Sequence, residues 1–165
     1  MPVPPKQEPV AVVAPPVALP VPTPALPVVD TVVDRPLNGV LAALSRTPCF
    51  GSCPVFEAQV WMDGTATWKG EKNVARLGLY RAQVPEQWLE DLLAYAEKNK
   101  YFELSAQYPL SGREIPDLPL TVCFLKKGTL EKKVRDGGDA PVALLQLERY
   151  FAEKLETLVW EKINK

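Results

Sequence analysis

VFEAQVWMDGTATWK, residues 55–69, is the stretch on which the reading of the fold turns. On its first arm Phe56, Ala58, Val60 and Met62 alternate with Glu57 and Gln59, the period-2 pattern of a strand with one face on a core and the other toward water. Asp63-Gly64 then separates two such runs. That pair predicts a hairpin closed by a two-residue turn with both residues at positive φ.

The flanking sequence adds further elements. Upstream, Val40, Leu41 and Leu44 lead into Ser45-Arg46-Thr47-Pro48. Downstream, a strand is expected from Ala75 to Val84, and Pro85 suits the first turn of a helix. From Pro85 to Asn99 the spacing puts Trp88, Leu89, Leu92, Leu93 and Ala96 on one stripe, with Tyr101, Phe102 and Leu104 sealing the end. A second hairpin is expected from Leu120 to Val134, with Lys127-Gly128 at its turn and Leu120, Val122 and Phe124 on its inner face. Asp136-Gly137-Gly138-Asp139 breaks the chain, and Pro141 opens a last helix. Leu144, Leu147, Phe151, Leu155 and Leu158 form its apolar stripe, with Glu148, Arg149, Glu153 and Lys154 outside it. The fold class expected is α+β: a mainly antiparallel sheet of two or more hairpins with two helices packed on one face.

Composition narrows the chemistry. The 165 residues contain no histidine, which removes the commonest metal ligand and the usual general base near neutral pH, and with it any Ser-His or Cys-His triad. The net charge is −1, and residues 1–36 account for it with Lys6 and Arg35 against Glu8, Asp30 and Asp34. A neutral domain lacks the basic excess that holds phosphate backbones, so no nucleic-acid partner is expected. No glycine-rich phosphate loop is present, no cofactor is expected and no metal site is assigned.

Residues 1–36 carry most of the 18 prolines, interleaved with Val, Ala and Leu. Proline fixes φ and removes the backbone donor, so this stretch is expected to be a disordered, largely polyproline II tether, and residues 37–165 a single α+β domain. At about 3.1 Å per residue the tether reaches on the order of 100 Å when fully extended. Met1 is followed by proline-rich sequence without the charged region and apolar run of an export signal. Two explanations fit: a cytosolic protein, or a mature chain from which an export signal has been removed.

Arg46-Thr47-Pro48-Cys49-Phe50-Gly51-Ser52-Cys53-Pro54 leads into the first hairpin. Two cysteines four apart, with Gly51 between them, can bring their Cα atoms within bridging distance. Three readings compete: a structural disulfide in an exported protein, reduced thiols in a cytosolic one, and a redox or soft-metal site. In the last, the two thiolates hold Cu(I) with Cys123 as a third ligand. The short Cys-x3-Cys-Pro string is similar to the copper-binding turn of the Sco copper chaperones, although their thioredoxin-like order and histidine ligand are absent here. The plainer reading of Cys123 is a small, partly buried apolar residue.

The Arg46–Pro54 string, the strand that follows, Asp63-Gly64 and Trp68-Lys69-Gly70 together resemble a bacterial domain of unknown function found mostly in exported proteins and lipoproteins. The resemblance extends through Gly78, the Trp88 helix, Tyr108, Asp117 and the closing helix with Trp160. It implies export and a Cys49–Cys53 disulfide, and no known catalytic activity. The proline-rich stretch is then the spacer between a removed N-terminal lipid anchor, the one membrane connection expected, and the folded domain. The function expected is a non-catalytic, envelope-associated binding module, periplasmic or anchored at the outer membrane, whose partner is an envelope protein or ligand. Arg46, Tyr108 and Asp117 are its candidate binding residues, with an Arg46–Asp117 pair or loop-backbone contacts as their structural alternative. The alternative function is copper carriage or disulfide exchange at the Cys-x3-Cys turn. A third is a carboxylate hydrolase using Asp117 with Glu114.

Overall fold

The computed structural model describes residues 2, 3 and 38–164, so the expected tether, apart from Pro2 and Val3, lies outside the described residues. Strands β1 (Val40–Arg46), β2 (Val55–Trp61), β3 (Thr65–Lys72) and β4 (Gly78–Gln83) come first, then helix α1 (Glu86–Lys98). A short edge strand β5 (Gln107–Tyr108), the pair β6 (Thr121–Lys127) and β7 (Leu130–Asp136), helix α2 (Val142–Glu156) and edge strand β8 (Glu161–Lys162) follow. They form one sheet in the order β5-β7-β6-β1-β2-β3-β4-β8, antiparallel throughout except for β5 beside β7. The expected α+β class is what the structure has.

Both helices lie on one face. Trp88, Leu92 and Ala96 of α1 and Leu144, Leu147, Phe151 and Leu155 of α2 share a core with Leu44, Ala58, Val60, Ala66, Trp68, Cys123, Leu125 and Val134. Fully burying side chains of this size stabilises by about 1.5–3 kcal/mol each. Trp88 and Phe151 meet edge-on across the helix pair, and Tyr95 stacks on Tyr150 at 4.0 Å. The Tyr101 hydroxyl reaches two sheet carbonyls, 2.7 Å from Cys123 O and 3.0 Å from Lys132 O. This ties the segment after α1 to β6 and β7.

The structure departs from the sequence reading in five places. β1, which has no alternation, is the central strand: it pairs with both β2 and β6, and residues on both its faces are buried. Glu57 and Gln59 of β2 do not face water. They sit between β1 and β3, opposite Ser45 and Ala43 on one side and Lys69 and Thr67 on the other, and are buried. Met62 is exposed in the turn instead. On β6 the faces are reversed, with Cys123 and Leu125 under the helices and Val122 and Phe124 on the other side. Glu148 is buried, not outside the α2 stripe. Finally, the expected strand from Ala75 is shorter, because β3 runs on to Lys72 and residues 73–77 form the loop to β4.

The turns also differ in detail. Gly64 N–H donates to Trp61 O and only Gly64 has positive φ, giving a three-residue loop closed by glycine. The Asp63 carboxylate accepts from Thr65 N–H and Oγ1 and holds the loop's other side. The second hairpin turns at Gly128-Thr129 rather than Lys127-Gly128, since Lys127 pairs with Leu130. Gly128 has φ 61° and Thr129 is not at positive φ, the type II′ pattern.

Candidate functional site

The β1–β2 and β3–β4 connections leave the sheet at the same end, and the C-terminal half of α2 passes over it. A cleft of about 320 Å³ opens between them, lined by Arg46, Pro54, Phe56, Trp68, Asn73, Val74 and Ala75 from the sheet end, and by Ala152, Glu153, Leu155 and Glu156 from α2. Its volume is at the lower end of the roughly 300–1,000 Å³ typical of small-molecule sites.

The floor is set by one glycine. Phe56 lies opposite Gly70 in the β2–β3 register, and the missing side chain there lets Trp68, one pair along on the same face, stack on Phe56 with ring centroids 4.6 Å apart and planes within 9°. A Cβ on Gly70 would fall 1.8 Å from Arg76 O and 2.8 Å from Trp68 Nε1, so residues 73–77 fold back on Gly70 itself. Trp68 Nε1–H donates to that same Arg76 carbonyl at 3.0 Å. The Arg76 guanidinium lies 4.9 Å from the Trp68 ring centroid and 5.7 Å from that of Trp160, and pairs with Glu156 at 2.6 Å. Floor and back wall are therefore fixed by stacking, a part-buried hydrogen bond and a cation set against two indoles.

The cysteine turn forms one rim. Cys49 and Cys53 are joined by a disulfide with Cα atoms 5.7 Å apart. Thr47 N–H donates to Leu120 O, Leu120 N–H to Thr47 Oγ1, and Phe50 N–H to Asp117 O, so the 115–120 loop braces one side of the turn. Asn73 Nδ2 donates to Cys53 O and braces the other.

Arg46 is the charged group at the inner end. Its Nε is buried and has no hydrogen-bond partner among the described residues. Beneath the helices it acts electrostatically on the Glu148 carboxyl of α2, which has the Asp136 carboxyl of β7 beside it. Glu148 is 2% exposed, and burial, with the Asp136 carboxyl adding to it, raises its pKa to about 8 against the pull of Arg46 in the other direction. Burial thus favours the protonated form of Glu148, which shares a hydrogen bond with Asp136, whose Oδ1 also accepts from Gly138 N–H at 2.9 Å. Glu148 Oε1 makes no hydrogen bond among the described residues.

The three candidate binding residues do not converge. Arg46 lines the cleft, whereas Tyr108 lines a separate depression of about 200 Å³ with Glu114 and Arg135, its hydroxyl accepting from Ser105 N–H. Asp117 is exposed at φ 67° in the bracing loop, where its backbone carbonyl serves the cysteine turn, and it lines neither cavity with Glu114. No Arg46–Asp117 ion pair is present among the described residues. Cys123 is 0% exposed, and burial pushes its thiol pKa up, away from the thiolate a soft metal needs. Among the described residues no group of three His, Cys, Asp or Glu is placed to hold a metal ion, so Cys123 does not join the turn. Nor is any described helix long and apolar enough to cross a membrane.

The residues the sequence reading left out are Phe56 and Trp68 as a floor, Glu148 as a buried acid, and Asn73 and Glu153 on the walls. Glu148 carried a signal: it falls four residues after Leu144 and three before Phe151, on the apolar stripe itself.

No curated protein matches the chain. A family model, described as a domain of unknown function (DUF6438), matches residues 41–155, which takes in all eleven cleft-lining residues except Glu156. With some two-thirds of its length inside that match, from β1 to the end of α2, the chain belongs to the DUF6438 family.

Proposed function

We propose that this chain is a non-catalytic binding module of the bacterial cell envelope, presented on its proline-rich segment, and that the cleft at the cysteine turn takes a ligand with an apolar body and a carboxylate. The observation that carries the reading is Arg46: a guanidinium whose buried Nε has no acceptor, at the inner end of a cleft floored by a stacked Phe–Trp pair. A buried donor without a partner costs about 1–3 kcal/mol, and a carboxylate arriving there regains that as a charge-assisted bond. The ring faces and Leu155 supply apolar contact for the rest of the ligand. Envelope placement is supported by the disulfide-closed turn, which persists in oxidising compartments, and by the long spacer composition of residues 1–36.

The test is calorimetric titration with 3-phenylpropionate and its uncharged counterpart 3-phenylpropanol, on the parent protein and Arg46→Ala. The carboxylate is expected to bind the parent and to lose at least ten-fold in affinity in the variant, with the alcohol unchanged between the two. Equal affinity of both proteins for the carboxylate refutes the site. Fractionation of the native host tests the placement, and recovery in the cytosol with Cys49 and Cys53 as free thiols refutes it.

A further inference from the structure

Four charged side chains concern the cleft or its wall, and two of them are already committed. Arg76 and Glu156 neutralise each other at 2.6 Å. Arg46 and Glu153 both line the cleft, and neither makes an ion pair among the described residues. Glu153 lies on the exposed side of α2, one turn before its end, with the apolar floor of Phe56, Trp68 and Leu155 making up the space between sheet and helix. Asn73 stands on the same wall, its Nδ2 donating to Cys53 O at 3.1 Å.

A cation and an anion, neither with an ion-pair partner among the described residues, around an apolar floor make a complementary set for a molecule carrying both charges. We propose that the ligand class is a free α-amino acid with an apolar side chain, its carboxylate on Arg46, its ammonium toward Glu153, and its side chain on the Phe56–Trp68 stack. This rests on the binding reading above and narrows it. A dicarboxylate would set a second negative charge against Glu153, and a simple amine would leave Arg46 without its acceptor. The modest cavity suits a single residue rather than an extended peptide.

The test uses L-phenylalanine, 3-phenylpropionate, which lacks the ammonium, and 2-phenylethylamine, which lacks the carboxylate, titrated calorimetrically into the full chain and into Glu153→Gln. Glu153 is exposed, so the substitution leaves the core untouched. L-phenylalanine is expected to bind about five-fold more tightly than 3-phenylpropionate, the upper range for an exposed ion pair, and 2-phenylethylamine more weakly than either. In Glu153→Gln the amino acid falls to the level of 3-phenylpropionate, whose own affinity stays the same. Equal binding of the two by the parent protein, or no effect of Glu153→Gln on L-phenylalanine, overturns the amino-acid assignment and leaves the carboxylate reading standing. Failure of all three probes to bind the parent overturns both.

Discussion

Replacing Glu148 with glutamine should stabilise the protein, increasingly so as the pH rises. Glu148 is held in the folded state near pKa 8, against an ordinary value of 4.5, because it is buried beside Asp136. Below pH 4.5 the carboxyl is protonated in both folded and unfolded chains and contributes no pH dependence. Between 4.5 and about 8 the unfolded chain releases the proton and the folded one keeps it, so each pH unit destabilises the fold by about 1.4 kcal/mol. By pH 8 the accumulated loss is about 4 kcal/mol, a large part of the roughly 5–15 kcal/mol typical of a domain. Glutamine presents the same N–H donor to Asp136 that the protonated acid presents as O–H, and it does not ionise. Urea unfolding of both proteins from pH 4 to pH 9 should therefore give curves that meet near pH 4 and diverge by about 4 kcal/mol at pH 8, with the variant the more stable. The other ionisable groups facing Glu148, namely Arg46, Asp136, Tyr101 and Cys123, are the same in both proteins and cancel in the comparison. Parallel curves, or a variant less stable than the parent at pH 8, would refute the reasoning.

Three further outcomes follow from the same structure. Cys49→Ser with Cys53→Ser should cost about 2 kcal/mol in urea unfolding, the small value expected for so short a closed loop, and should leave the far-UV circular dichroism unchanged. Gly70→Ala should cost more than about 3 kcal/mol or prevent folding, since the added Cβ meets the Arg76 carbonyl at 1.8 Å and neither backbone can yield; soluble yield and thermal melting report it. Tyr101→Phe should cost about 1–3 kcal/mol by the same unfolding measurement, because the carbonyls of Cys123 and Lys132 lose a buried donor.

How much the sequence disclosed depended on whether a residue's type agreed with its surroundings. The β2–β3 hairpin, both helices and the stripe from Leu144 to Leu158 follow from periodicity, because there most apolar residues recur at the period of their element and face the core. β1 was hidden by its centrality, since VLAALSR is buried on both faces and so shows no alternation. Glu57, Gln59 and Glu148 were hidden by their chemistry. Charge and amide groups read as solvent-facing, yet tertiary neighbours enclose them: Ser45, Thr67 and Lys69 around the first two, and Asp136 and Arg46 around the third. For the site, the string from Arg46 to Pro54 marked one rim correctly. The opposite wall comes from α2, about a hundred residues later, and no local pattern announces that Glu153 and Leu155 meet Pro54 and Trp68 across the cleft. Tyr108 sits on edge strand β5 and Asp117 in the loop before β6, and neither lines the cleft.

In the proposed site Arg46 is the group a ligand's carboxylate meets. This contact is tested most directly by following the Arg46 Nε–H proton by NMR while 3-phenylpropionate is added to the full chain. This resonance is expected to move downfield and saturate together with the Trp68 indole N–H, while the Tyr108 depression stays unperturbed. An Arg46 Nε–H signal that does not shift while other resonances do would contradict it.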